Sequence, residues 1–278
     1  MFQLERFNAW AQDLIKEDNP TQDIVSMAIS EMIGSAILVL VGCSSYIGTF
    51  DFEPSSLTVS VVFGFAHMLC MQCFSYTREL HINPAITVGA LIFGKMSLIL
   101  AGIFVIAQCI GSIIGYGLLK VIVQTRYMRP KPSYTMPVDL ICVTQLNDNI
   151  SVGEGFLVEI LATFLLTSVA CGIWDKKNSE NTDSVPIRFG FSVIALCLAF
   201  EPYTGCGINP ARSLAPAIWN NKWSYHWIYW LGPLVGASCA ATLYRYCLAQ
   251  EEMPMESIAE ETTPETNQDL YTENVENA

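Results

Sequence analysis

The sequence predicts an all-α membrane protein of six transmembrane helices and two half-helices, arranged as two inverted repeats. Three observations predict it. Of the 278 residues, 52% are hydrophobic and only 14% are charged, where an ordinary globular chain carries about a quarter charged residues. Six apolar runs, near 24–50, 57–76, 97–123, 152–174, 187–203 and 225–248, approach or exceed the ~20 residues that cross a bilayer. Two further apolar runs, Ile82–Phe93 and Ile208–Trp219, reach only about half that length, and both carry Asn-Pro-Ala at their start.

Taken in order, the elements form a duplication. Residues 1–23 are largely polar and acidic, so they read as a segment outside the membrane, with no cleavable signal peptide. The first span contains a lone carboxylate, Glu31, and the second contains Phe63. The half-span follows. Proline is tolerated in the first turn of a helix, where its missing N–H would have had no partner, so Pro84 and Ala85 open a short helix with Asn83 at the cap. The third full span, 97–123, closes the first copy. The second copy repeats the order: a span with Glu159, a span at 187–203, a half-span opening on Asn209, Pro210 and Ala211, and a last span. The span at 187–203 is the weakest, with twelve uncharged residues between Arg188 and Glu201. Glu31 precedes Asn83 by 52 residues and Glu159 precedes Asn209 by 50. Each copy has an odd number of full spans, so the second enters the membrane from the opposite face. Inverted repeats of this kind place their interrupted helices at a shared midplane site. Irregular backbone at that depth must be buried in protein or line a watery cavity. The two half-helices therefore dip in from opposite faces and meet N-terminus to N-terminus, lining a pore.

The net charge of −12 is concentrated at one end. From Glu251 onward there are nine acidic residues and no Lys or Arg, leaving about −3 for the remainder. Residues 250–278 read as a solvated, disordered tail, and nothing points to a nucleic acid. An even span count puts both termini on one side. The loop around Arg78 and the stretch from Asp175 to Asn181 place most basic residues there, favouring cytoplasmic termini. Lys120, Arg126, Arg129 and Lys131 fall on the other face and oppose that reading. The sequon Asn149-Ile150-Ser151 then lies in an extracellular loop. The ten cysteines include Cys43, Cys70, Cys73, Cys109, Cys171, Cys197 and Cys239, all within apolar runs. Their spacing suggests neither a disulfide framework nor a zinc site, and no cofactor is expected.

The stretches His81-Ile82-Asn83-Pro84-Ala85 and Tyr203-Thr204-Gly205-Cys206-Gly207-Ile208-Asn209-Pro210-Ala211-Arg212-Ser213, with Glu31 and Glu159 in the first span of each half, closely resemble the aquaporin (major intrinsic protein) family. The resemblance runs from about residue 24 to 249, with repeats near 24–125 and 152–249. It implies a homotetramer of right-handed six-helix bundles in the cell membrane, each subunit with its own pore for water or small uncharged solutes. An enzyme is not expected, since no Ser-His-Asp, Cys-His, metal or phosphate-loop arrangement survives the membrane assignment. Asn83 and Asn209 would offer amide donors at the positive ends of two half-helix dipoles, roughly half a charge apiece. A passing water must turn its oxygen toward both, which breaks the hydrogen-bonded file along which a proton would hop. The same two residues also serve as helix caps. Arg212 lies in the first turn of the second half-helix, where a lipid-facing Arg would be costly. The resemblance places it in the pore, where its charge repels cations. It also implies that Glu31 and Glu159 accept hydrogen bonds from the pore-loop backbone and that His81 orders its loop.

The same resemblance maps a selectivity filter onto Phe63, twenty residues before the first Asn, and onto Cys197, Cys206 and Arg212, at −12, −3 and +3 from the second. Water-selective members carry His at the position of Cys197. Cysteine is smaller and behaves mainly as an apolar residue, leaving a wider slot for a carbon backbone against Phe63 while Arg212 bonds hydroxyls. Ser213 after the Arg, and Tyr229-Trp230 in the last span, instead resemble the water-selective branch. A water-branch scaffold lacking the filter His is similar to the insect entomoglyceroporins, which implies that glycerol and urea pass alongside water. A strict water channel, or a weakly conducting junction or signalling scaffold, are the alternatives. The loop Thr77-Arg78-Glu79-Leu80-His81 departs from the family's usual Ser-Gly pattern. Its Arg78 and Glu79 pair with each other, face water, or line the cytoplasmic mouth.

Overall fold

The computed structural model describes residues 16–17, 19–47, 54–74, 80–123 and 140–249. Arg78, Glu79, Arg126, Arg129, Lys131, most of the N-terminal segment and the acidic tail lie outside the described residues. The described residues form eight α-helices: α1 (Thr21–Ser44), α2 (Ser56–Cys73), α3 (Pro84–Phe93), α4 (Leu98–Ile122), α5 (Val152–Trp174), α6 (Val185–Thr204), α7 (Pro210–Asn220) and α8 (Ile228–Leu243). Five of them, α1, α2, α4, α5 and α6, are long and apolar enough to cross a membrane. The last span is a shorter α-helix than the run 225–248 suggests. Tyr225 takes a left-handed φ of 49° ahead of α8, and the far end runs on as a π-helical turn, Tyr244–Leu248.

The duplication is visible in the packing. Helix α1 packs on α4 as α5 packs on α8, α4 meets α7 as α8 meets α3, and α2 meets α6 across the axis relating the halves. Small residues allow the first pair of crossings, as in membrane helices generally. A Cβ at Gly111 of α4 would lie 2.0 Å from the Met32 carbonyl oxygen, and one at Gly115 would lie 2.2 Å from that of Ala36. In the second half, a Cβ at Gly236 of α8 would lie 2.3 Å from the Ile160 carbonyl oxygen. The outer surface is apolar: Val25, Ile29 and Ile33 on α1, and Leu157, Leu161 and Leu165 on α5, form exposed stripes at helical spacing. Glu31 and Glu159 are fully buried inside. Apolar outside and carboxylates inside is the arrangement a lipid solvent favours.

Both described chain ends leave the bundle on one face. Glu17 accepts a hydrogen bond from Ser97 at the start of α4. Beyond α8, Arg245 donates to the Ile92 carbonyl near the end of α3 (2.6 Å), and Tyr244 donates to Asp175 just past α5 (3.1 Å).

One expectation is overturned. Cys43, in the last turn of α1, and Cys142, in the segment preceding α5, form a disulfide with Cα atoms 5.3 Å apart. Separated by 99 residues, the pair gives no spacing signal; only the fold brings the segment over the end of α1. Among the described residues no cluster of His, Cys, Asp or Glu could hold a metal ion.

Candidate pore and selectivity filter

The two half-helices are built alike. Asn83 caps α3, its Oδ1 accepting from the Ala85 N–H at 2.8 Å. Asn209 caps α7, accepting from Ala211 (3.1 Å) and Arg212 (3.2 Å). Pro84 and Pro210 occupy the first turns. Each Asn also reaches across the repeat: Asn83 Nδ2 donates to the Ile208 carbonyl at 2.9 Å, and Asn209 Nδ2 donates to that of Ile82 at 2.8 Å. An amide nitrogen carries two hydrogens, so each Asn keeps a second donor.

These cross-bonds need an unusual backbone. Ile82 and Ile208 sit at φ of 47° and 43°, a region that costs a non-glycine residue on the order of 1–3 kcal/mol. The buried carboxylates hold them there. Glu31 accepts from the N–H groups of His81 (2.5 Å) and Ile82 (2.7 Å) and from Gln108 Nε2 (2.8 Å). Glu159 accepts from the N–H groups of Gly207 and Ile208 (both 2.8 Å) and from the Thr204 hydroxyl (2.6 Å). Each carboxylate takes the Ile N–H, and the matching carbonyl turns to the opposite Asn. His81 packs edge-on against Phe104 and Trp174, with Nδ1 3.2 Å from the Thr87 hydroxyl.

The four filter positions, Phe63, Cys197, Cys206 and Arg212, line one recess that also reaches Asn209. Phe63 comes from α2, Cys197 from α6, Cys206 from the loop between α6 and α7, and Arg212 from α7. The Arg212 guanidinium lies 4.8 Å from the Phe63 ring centroid, a cation–π distance, and Nη1 donates to the Cys142 carbonyl at 2.9 Å. The Cys206 and Cys197 thiols line this same recess, and both are free. Three polar lining side chains escaped the sequence reading: Tyr46, His67 and Glu201. Tyr46 shares the recess with Arg212, and its ring stands edge-on to Phe63 with centroids 6.5 Å apart. His67, one helical turn beyond Phe63, places Nδ1 2.9 Å from the Phe63 carbonyl oxygen and packs beside Phe189. The i, i+4 relation of His67 to Phe63 is a signal that could have found it. Asn149 is exposed, its side chain donating to Asn147 at 3.1 Å.

Residues 20–244 match the Major intrinsic protein family. The chain belongs to that family. Among similar proteins of the family, Aquaporin-4 of Mus musculus is 40% identical over 152 residues, which are 55% of this chain and 44% of that protein. Aquaporin PIP2-4 of Zea mays is 39% identical over 161 residues, 55% of this chain and 53% of that protein. The chain thus spans about half the length of the curated relatives it matches. The X-ray structure of the aquaglyceroporin from Plasmodium falciparum superposes with a TM-score of 0.72 at 19% identity, covering 81% of this chain and 96% of that one. At that identity the likeness speaks for the fold of a major intrinsic protein and no further.

Proposed function

We propose that this major intrinsic protein is a passive membrane channel for water and small uncharged solutes, glycerol and urea among them, that excludes protons and ions. The observation that carries this reading is the convergence of Phe63, Cys197, Cys206 and Arg212 on a single recess reaching Asn209. A fixed guanidinium there repels cations and offers donors to a hydroxyl or a water, while Phe63 gives a carbon chain an apolar wall. Asn83 and Asn209, each with one amide hydrogen left after its cross-repeat bond, are placed to orient single-file water at the positive ends of two half-helices. The glycerol element rests on Cys197, small where an imidazole would narrow the slot, and so does the likeness to entomoglyceroporins. The same reading takes the protein to be a homotetramer in the cell membrane with cytoplasmic termini, the filter facing outward.

A strictly water-selective channel is the second reading. Tyr46 and His67 favour it, because they bring to the same recess the bulk and the polar edge that Cys197 lacks. Purified protein in proteoliposomes, challenged with water, glycerol and urea gradients, separates the two. The Cys197→His variant is the companion test: glycerol flux should fall at least about tenfold, the effect of ~1.4 kcal/mol of added barrier, with water flux changed only a few-fold. Wild-type protein that excludes glycerol, or a histidine variant that conducts it equally well, leaves the water channel as the answer.

A further inference from the structure

The Cys43–Cys142 disulfide stands at the filter, not at a remote staple point. Cys142 is buried and takes a left-handed φ of 60°, and its carbonyl is the acceptor for Arg212 Nη1 at 2.9 Å. Cys43 lies on the other side of the bond. Its own carbonyl accepts from the Tyr46 N–H at 3.2 Å, and Tyr46 lines the same recess as the guanidinium. The carbonyl that holds Arg212 and the aromatic ring beside Phe63 thus belong to segments joined by one covalent link. Phe63 completes the arrangement, with the guanidinium over its face and the Tyr46 ring at its edge.

The segment carrying Cys142 has other anchors. The Ile141 carbonyl accepts from the Tyr116 hydroxyl at 2.8 Å, and Asn147 donates from its backbone to Tyr203 at 2.8 Å. These tie the segment to α4 and α6. The disulfide ties it to α1, and so to Tyr46. Severing it leaves the segment attached to the bundle but frees the Cys142 carbonyl and Tyr46 to move apart. A guanidinium is rigid and planar, but it sits on a long flexible stem. Its position in a lumen is therefore set by what accepts its hydrogen bonds.

We propose that the Cys43–Cys142 disulfide is a selectivity determinant of this channel: it fixes the Cys142 carbonyl, which holds the Arg212 guanidinium over Phe63, to the end of α1 and the Tyr46 ring beside Phe63. The proposal deepens the channel reading and rests on it. It gives the disulfide a positioning role distinct from general stabilisation. A disulfide facing outward also suits its compartment, since such bonds persist in oxidising surroundings.

The test uses the full-length protein in proteoliposomes and reads the ratio of glycerol to water permeability. Dithiothreitol, oxidised to its cyclic disulfide, supplies the two electrons and two protons that convert the bond to two thiols, and thiol counting establishes that reduction occurred. The Cys43→Ser/Cys142→Ser double variant provides the same severed state without reductant. Either should raise the ratio about threefold or more while water flux persists, a change well resolved on the logarithmic scale of rates. The decisive arm repeats the severing in an Arg212→Val background. Groups acting through one another are non-additive, so there the ratio should not move further. A bond shown to be broken with the ratio unchanged overturns the proposal, and so does an equal rise in the Arg212→Val background. The channel reading fails differently: wild-type protein that passes no water, or Arg212→Val protein indistinguishable from wild type, removes that reading and this inference with it.

Discussion

Replacing Glu159 by Gln alters one oxygen and should disable the second pore loop. The wild-type carboxylate accepts three hydrogen bonds in a fully buried position, two from the backbone of Gly207 and Ile208 and one from Thr204. An amide of the same shape has one acceptor end and one donor end. Whichever way it turns, its NH₂ faces a backbone N–H, either that of Ile208 or that of Gly207; only the Thr204 hydroxyl can reverse its role. One buried N–H is left unsatisfied at a cost of about 1–3 kcal/mol, and the remaining bonds lose their charge assistance, for a gross loss of roughly 3–5 kcal/mol. Relaxation of Ile208 from its left-handed φ returns ~1–3 kcal/mol. The net destabilisation is therefore about 2 kcal/mol, but the relaxation is the functional damage. Once Ile208 turns, its carbonyl leaves Asn83, and the alignment of the two half-helix caps is lost. Thermal unfolding in detergent should register the first effect, and stopped-flow shrinkage of proteoliposomes at equal protein density should show water permeability reduced about tenfold or more. A Gln variant with wild-type unfolding and wild-type water flux would refute the view that this carboxylate sets the loop.

Other outcomes follow from the same geometry. Mercurials should block water flux through Cys206, which lines the filter recess, and Cys206→Ser protein should resist; persisting sensitivity would move the block to Cys197. Gly236→Val should prevent assembly of the second repeat, because even a Cβ there lies 2.3 Å from a backbone oxygen of α5, and detergent extracts should contain aggregate instead of a monodisperse peak. Deleting residues 251–278 should leave permeability per channel unchanged, since that stretch lies outside both repeats; a per-channel loss at matched protein would contradict this.

The repeat was legible because its determinants are local. An Asn followed by Pro states both the cap and the helix start, so α3 and α7 could be placed to within a residue. A carboxylate alone in an apolar run has few fates other than burial against backbone donors, and Glu31 and Glu159 met that condition at matching distances from their Asn caps. The filter positions could be counted from the same two points. What supports the filter was not legible. Tyr46 reaches the filter recess from just past α1, and Cys142 reaches Arg212 from a segment 70 residues upstream. Neither carries a motif, and no periodicity links them. The last span is shorter than its apolar run for a related reason: the aromatic stretch before Ile228, Trp223 to Trp227, offers bulk that reads as membrane, yet it is folded into turns.

The division has a physical basis. Side chains that contact a solute are constrained by the chemistry of that solute, which few residue types satisfy, so they leave a readable signature. Groups that hold those side chains need only present an acceptor at the right place, and a backbone carbonyl of any residue will do. The Cys142 carbonyl serves Arg212, and the carbonyls of Ile82 and Ile208 serve the two Asn amides. In all three cases the identity of the residue is silent about the bond its backbone makes. The left-handed φ of each of these residues is where the support becomes visible, because there the chain gives up a comfortable conformation to aim a carbonyl. In this protein strained backbone marks the support of the proposed pore, and the motifs mark its lining.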